Sequence, residues 1–157
     1  MQQNARFIRK LPIPMEIKKE FPITPEIAEA REKRVEEMRA ILDGRDKRLM
    51  LVIGPCSADR EDSVMDYICR LVPLQEQVKD KILIVPRIYT NKPRTTGDGY
   101  KGMLHQPDPD QAPNLLEGII AIRKMHIRAM KESGLTAADE MLSLIHISEP
   151  TRLGMIS

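Results

Sequence analysis

Two short runs, Leu49-Met50-Leu51-Val52-Ile53 and Ile82-Leu83-Ile84-Val85, are apolar at every position, and nothing else in this chain constrains its fold as tightly. A strand with one solvated face alternates between apolar and polar residues. A run that is apolar throughout suits a strand covered on both faces, as in a parallel sheet. Between the runs, residues 61–79 set Val64, Ile68, Leu71, Leu74 and Val78 along one side of a helix, which Pro73 is expected to kink or split. Strand, long helix and strand in that order imply a βαβ crossover and parallel pairing.

The flanks extend the alternation. Thr24 is placed to cap a helix, Pro25 suits its first position, Glu26 and Glu29 favour its positive end, and Gly44 stops it. Ile27, Val35, Met38, Ile41 and Leu42 recur along that segment at helical spacing. Upstream, residues 1–23 are broken by Pro12, Pro14 and Pro22 and read as an extended arm, with a short strand near Phe7–Leu11. Downstream, Thr90 to Pro113 reads as a loop. Residues 114–132 then read as a helix burying Leu115, Ile119, Ile122, Met125 and Met130, closed by Gly134.

Charge and composition exclude several classes of function. Lys and Arg number 25 against 23 Asp and Glu, a formal charge of +2, with the two signs interspersed. A nucleic-acid or membrane-surface protein would carry a basic face or stripe, so neither partner is expected. Aromatic residues are 3% of the 157 and Trp is absent, so the core must be aliphatic. Cys56 and Cys69 are too few for a disulfide scaffold and fit no zinc spacing. The N-terminal residues have no apolar signal-peptide core and no segment approaches a membrane span, which sets a cytoplasmic location as the expectation.

Ligands of parallel α/β folds gather at the carboxyl ends of the strands. Gly54-Pro55-Cys56-Ser57 follows the first run directly, and residues 87–96 follow the second. Arg87, Lys92 and Arg94 put three cations on one loop beside the hydroxyls of Thr95 and Thr96, a set suited to phosphate or carboxylate oxygens or simply to a solvated loop. Cys56 fits a thiolate metal ligand, a nucleophile or a small buried hydrophobe. Cys69 reads as core or half-exposed packing, His105 and His126 as structural, and Asp108-Pro109-Asp110 as a turn.

Read together, GPCS at 54–57, PRIYTNKPRTT at 86–96 and GYKG at 99–102 resemble the class I 3-deoxy-D-arabino-heptulosonate 7-phosphate (DAHP) synthases. The resemblance covers residues 5–142. It implies an α/β fold that is an incomplete (β/α)8 TIM barrel, its first two strand–helix units preceded by an N-terminal arm and helix. The corresponding divisions are the arm at 1–23, the helix at 24–44 and barrel at 45–141. The implied activity is the aldol-type condensation of phosphoenolpyruvate with erythrose 4-phosphate, which opens the shikimate pathway to the aromatic amino acids. By the same resemblance Cys56 matches a metal-ligating cysteine, Arg87 and Lys92 match phosphoenolpyruvate-binding side chains, and Arg94 and Thr95 match the erythrose 4-phosphate cradle. The family's cofactor is a divalent metal (Mn²⁺, Fe²⁺, Zn²⁺ or Co²⁺), and its members are homo-oligomers, dimers or tetramers.

The pattern also has gaps. The later His, Glu and Asp metal ligands of the family have no counterparts here, and one thiolate does not make a metal site. Stable metal binding is therefore not expected of this chain, and weak or no synthase activity is expected from it alone. A full barrel takes about 250 residues, so open sheet edges and marginal stability are expected. Residues 142–157 leave the family pattern, and Leu142–Arg152 resembles a translated sequencing-library adapter, so that tail is expected to be artefactual read-through. The alternative reading is a non-catalytic piece that binds a phosphorylated ligand or a full-length subunit, or that has no function.

Overall fold

A computed structural model describes residues 10–92 and 99–139. Helix α1 (Pro14–Glu20) and helix α2 (Pro25–Leu42) precede strand β1 (Leu49–Ile53). Helix α3 (Glu61–Val78), strand β2 (Ile82–Pro86) and helix α4 (Leu115–Ser133) follow. The strands pair in parallel with Leu49 opposite Ile82 and Ile53 opposite Pro86, joined through α3, so the strand–helix–strand reading holds.

Local chemistry accounts for most boundaries. Thr24 Oγ1 accepts from the Ile27 amide at 3.4 Å and Pro25 opens α2. At the far end of α4, Gly134 takes the left-handed conformation, φ 67°, and its amide reaches the Met130 carbonyl. The Asp108 to Asp110 segment is the expected turn, with the Asp110 amide on Asp108 Oδ1 at 3.0 Å.

Several expectations are corrected. The segment 1–23 is not wholly extended, because α1 occupies residues 14–20. Pro14 pre-sets its first turn, Glu16 reaches back to the Ile13 amide at 2.9 Å, and Ile17 is buried. Of the strand expected near Phe7–Leu11, residues 7–9 lie outside the described residues, and Lys10 and Leu11 are not strand. Pro73 does not split α3, which runs unbroken from Glu61 to Val78. The buried stripe of α3 passes through Val64, Ile68, Leu71 and then Gln75, leaving Leu74 exposed one position off the stripe. Leu42 at the end of α2 and Cys69 in α3 are likewise exposed.

The core lies between α3, α4 and the loops at the top of β2. Val64, Met65 and Ile68 of α3 meet Met125 and Ala129 of α4, with Ile88 and Met103 filling between them. Strand β2 is well covered, but β1 is not: Leu49, Val52 and Ile53 are 63%, 47% and 36% exposed, so neither of its faces is sealed among the described residues. The continuous apolar run predicts a strand buried on both faces; among the described residues β1 has one strand neighbour and little else against it.

A second parallel contact, made by a third segment and not signalled by the sequence, joins Arg87 to Ala138. The Ile88 amide donates to the Ala138 carbonyl at 2.7 Å, and the Ala138 amide to the Pro86 carbonyl at 2.8 Å. In a parallel ladder alternate residues face opposite neighbours. Lys81 and Arg87 bond to β1, so the carbonyl of Ile82 and both backbone groups of Ile84 face this third segment's side. Side chains meet them there. Gln75 Nε2 donates to Ile82 O at 3.0 Å, Gln75 Oε1 accepts from the Ile84 amide at 2.6 Å, and Arg34 donates to Ile84 O at 2.6 Å. The lower part of the β2 edge is thereby closed by two side chains instead of a strand.

Candidate anion-binding site

The two strand-end segments come together. The Arg87 amide caps β1 by donating to Ile53 O at 2.8 Å, and its guanidinium donates to Pro55 O at 2.8 Å. That guanidinium also lies 4.6 Å from the centroid of the Tyr89 ring. Lys92 Nζ donates to Cys56 Sγ at 3.2 Å, and Cys56 is exposed. Cys56, Arg87 and Lys92 thus share one surface although up to 36 residues separate them in the chain. Arg94 and Thr95 lie outside the described residues.

Glycine makes this approach possible. A Cβ on Gly54 would fall well inside contact distance of the Arg87 carbonyl, so only glycine lets the two strand ends close. Gly102 combines a φ of 86° with a position against the Thr90 carbonyl, where a side chain would also collide.

Supporting contacts that sequence reasoning did not foresee hold the loop. Buried Thr90 donates through its amide (3.1 Å) and its hydroxyl to the Asp139 carboxylate. The Ala58 amide reaches Tyr89 O at 2.9 Å, the Leu104 amide reaches Thr90 O at 3.0 Å, and the Lys92 amide reaches Lys101 O at 3.2 Å. Tyr100 donates to Ala58 O at 3.3 Å, and its phenol is pushed up to about 12 by burial and by the Asp59 charge. The hydroxyl of Thr90 and the carboxylate of Asp139 are ordinary residues in sequence; their pairing over 49 positions has no local signature.

Among the described residues no group of three His, Cys, Asp or Glu side chains could hold a metal ion. Cys56 offers one thiol, and nothing nearby among the described residues completes a donor set with it. No helix among the described residues is long and apolar enough to cross a membrane.

Parallel strands, a helical crossover and cations gathered at the strand ends define an α/β protein with a cationic candidate site. The chain matches the model of the DAHP synthetase I family over residues 16–154, and it belongs to that enzyme family. It is 37% identical over 138 residues to the Phe-sensitive phospho-2-dehydro-3-deoxyheptonate aldolase of Escherichia coli K12, covering 88% of this chain and 39% of that protein. It is 37% identical over 126 residues to the phenylalanine-inhibited enzyme of Saccharomyces cerevisiae, covering 80% of this chain and 33% of that one. The structure of the aldolase from Francisella tularensis superposes with a TM-score of 0.80 at 28% identity, over 89% of this chain and 40% of that one. The chain therefore spans about a third to two fifths of the length of these relatives.

Proposed function

We propose that this chain serves the 3-deoxy-7-phosphoheptulonate synthase reaction, the condensation of phosphoenolpyruvate with erythrose 4-phosphate in the cytoplasm. The observation that carries the reading is the convergence of Arg87, Lys92 and Cys56 at the ends of two parallel strands. Arg87, fixed by Pro55 O and Tyr89, presents an oriented guanidinium, and Lys92 adds a mobile ammonium. Together they suit the carboxylate and phosphate oxygens of phosphoenolpyruvate. Arg94 and Thr95 are assigned to erythrose 4-phosphate. Cys56 is assigned as one thiolate ligand of a divalent metal whose other ligands are not among the described residues. The two strands and their helices are the opening units of a (β/α)8 barrel, and the assembled enzyme is a homo-oligomer, dimer or tetramer.

Thermal melting with phosphoenolpyruvate tests the reading, because a ligand bound only by the native state raises Tm. A rise of several degrees, reduced in Lys92→Ala and in Arg87→Lys, is the expected result. A Tm that phosphoenolpyruvate leaves unchanged would overturn it. Assay of heptulosonate formation by the same sample then separates a complete catalyst from a substrate-holding portion.

A further inference from the structure

We propose that the cleft between α1, α2 and α4 is a second anion-binding site, taking a small organic molecule that carries a phosphate group. Its cavity is about 500 Å³, and Lys18, Arg31, Arg123 and His126 line it together with Ile23, Ile127 and Met130. It shares no lining residue with the strand-end site.

The three cations of this cleft lie together with no acidic partner at helical spacing, unlike Arg70, Lys79 and Arg128. Arg70, Lys79 and Arg128 each have a carboxylate three or four residues away on their own helix and pair with it. Lys18, Arg31 and Arg123 have none at those spacings: Ile27, Ala28, Arg34 and Val35 flank Arg31, and Ile119, Ile120, His126 and Ile127 flank Arg123. Among the described residues no carboxylate lines the cavity, and none of the three cations forms a salt bridge. Arg123 spends its Nε on the Phe21 carbonyl at 3.0 Å, which pins the α1–α2 connection and leaves its terminal nitrogens for another partner.

His126 supplies an independent observation. Its Nε2 is buried and has no hydrogen-bond partner, an unusual condition for a buried polar atom. Burial holds its imidazole below the ordinary range. Asp139, the carboxylate whose charge acts on it, is engaged by Thr90. A phosphate seated among the three cations would give Nε2 a partner, and the apolar walls would take an organic body.

The test is a titration of the full chain with inorganic phosphate and with β-glycerophosphate at constant ionic strength, following the His126 imidazole ¹⁵N resonances. Saturable shifts of those resonances are expected with both probes. Affinity should weaken by about fivefold in Lys18→Gln and in Arg31→Gln, exposed positions whose replacement leaves the core intact. The shifts should persist in Lys92→Gln, which addresses the strand-end site alone. Resonances that do not move, that respond in both cleft variants with the affinity of the unaltered chain, or that stop moving only in Lys92→Gln would overturn the proposal. Tighter binding of β-glycerophosphate than of phosphate is expected, since the cleft walls also meet the organic body; equal affinity for the two probes would overturn the assignment to an organic phosphate.

Discussion

Lys92 Nζ sits 3.2 Å from Cys56 Sγ, bridging the loop after β2 to the loop after β1. The contact places the exposed thiol within the candidate site, whereas Cys69 lies exposed on α3, outside it. Phosphoenolpyruvate should therefore slow alkylation of Cys56 by iodoacetamide several-fold while leaving Cys69 unaffected. Peptide mapping by mass spectrometry, with Cys56→Ser as control, checks this; equal protection of both thiols would contradict it.

Gly54→Ala should be costly for its size. The added methyl meets the Arg87 carbonyl, part of the strand ladder, which cannot yield as a flexible side chain would. A loss of about 2–3 kcal/mol is expected from such overpacking, measured by urea denaturation, together with loss of the phosphoenolpyruvate effect on Tm.

Gln75→Leu should destabilise although it makes the α3 stripe more apolar. It removes the partners of Ile82 O and of the Ile84 amide, both facing away from β1. Stranding buried backbone groups costs roughly 1–3 kcal/mol each, so a net loss of about 2 kcal/mol is expected in the same denaturation experiment.

The pH dependence of stability should carry the mark of His126. Burial depresses its folded-state pKa from 6.5, with Asp139 opposing in part. Below that value the unfolded chain takes up a proton that the folded chain resists, so stability should fall as the solution is acidified through about pH 6.5. Above it neither state is protonated and the contribution vanishes. His126→Gln should flatten the stability profile between about pH 7 and the depressed pKa.

The exposed apolar side chains of β1 predict a further behaviour. Leu49 and Val52 are 63% and 47% exposed, and with Ile53 they offer apolar surface on both faces of a strand. The chain should bind 8-anilinonaphthalene-1-sulfonate with enhanced fluorescence at neutral pH, and Val52→Thr should reduce the signal.

Where one segment sufficed to set an element, the sequence was legible. The uninterrupted run from Leu49 to Ile53 coincides with β1, and Thr24, Pro25 and Gly134 mark helix ends through their own backbone preferences. The place of the candidate site was legible in the same way, since Cys56, Arg87 and Lys92 lie in the segments that follow two recognisable strands, while their roles rest on the resemblance. What stayed hidden depends on choice of partner. Gln75 occupies the stripe position that Leu74 was expected to share, because a polar side chain is buried there only for the bonds it makes to β2. The Ala138 bridge was missed because Thr136-Ala137-Ala138 lacks the branched, apolar character that marked the other strands. α1 was missed because three prolines within 23 residues resemble an unfolded arm until Pro14 is seen at a first-turn position.

The divided edge of β2 works as a mechanical stop. Below Pro86 the ladder positions are occupied by Gln75 and Arg34; from Pro86 upward they are open and meet Ala138. A segment arriving after α4 that slid two residues down, the smallest slip that keeps its faces the right way round, would have to evict both side chains. Register on this edge is thus set by exclusion as well as by the packing of the third segment's own side chains.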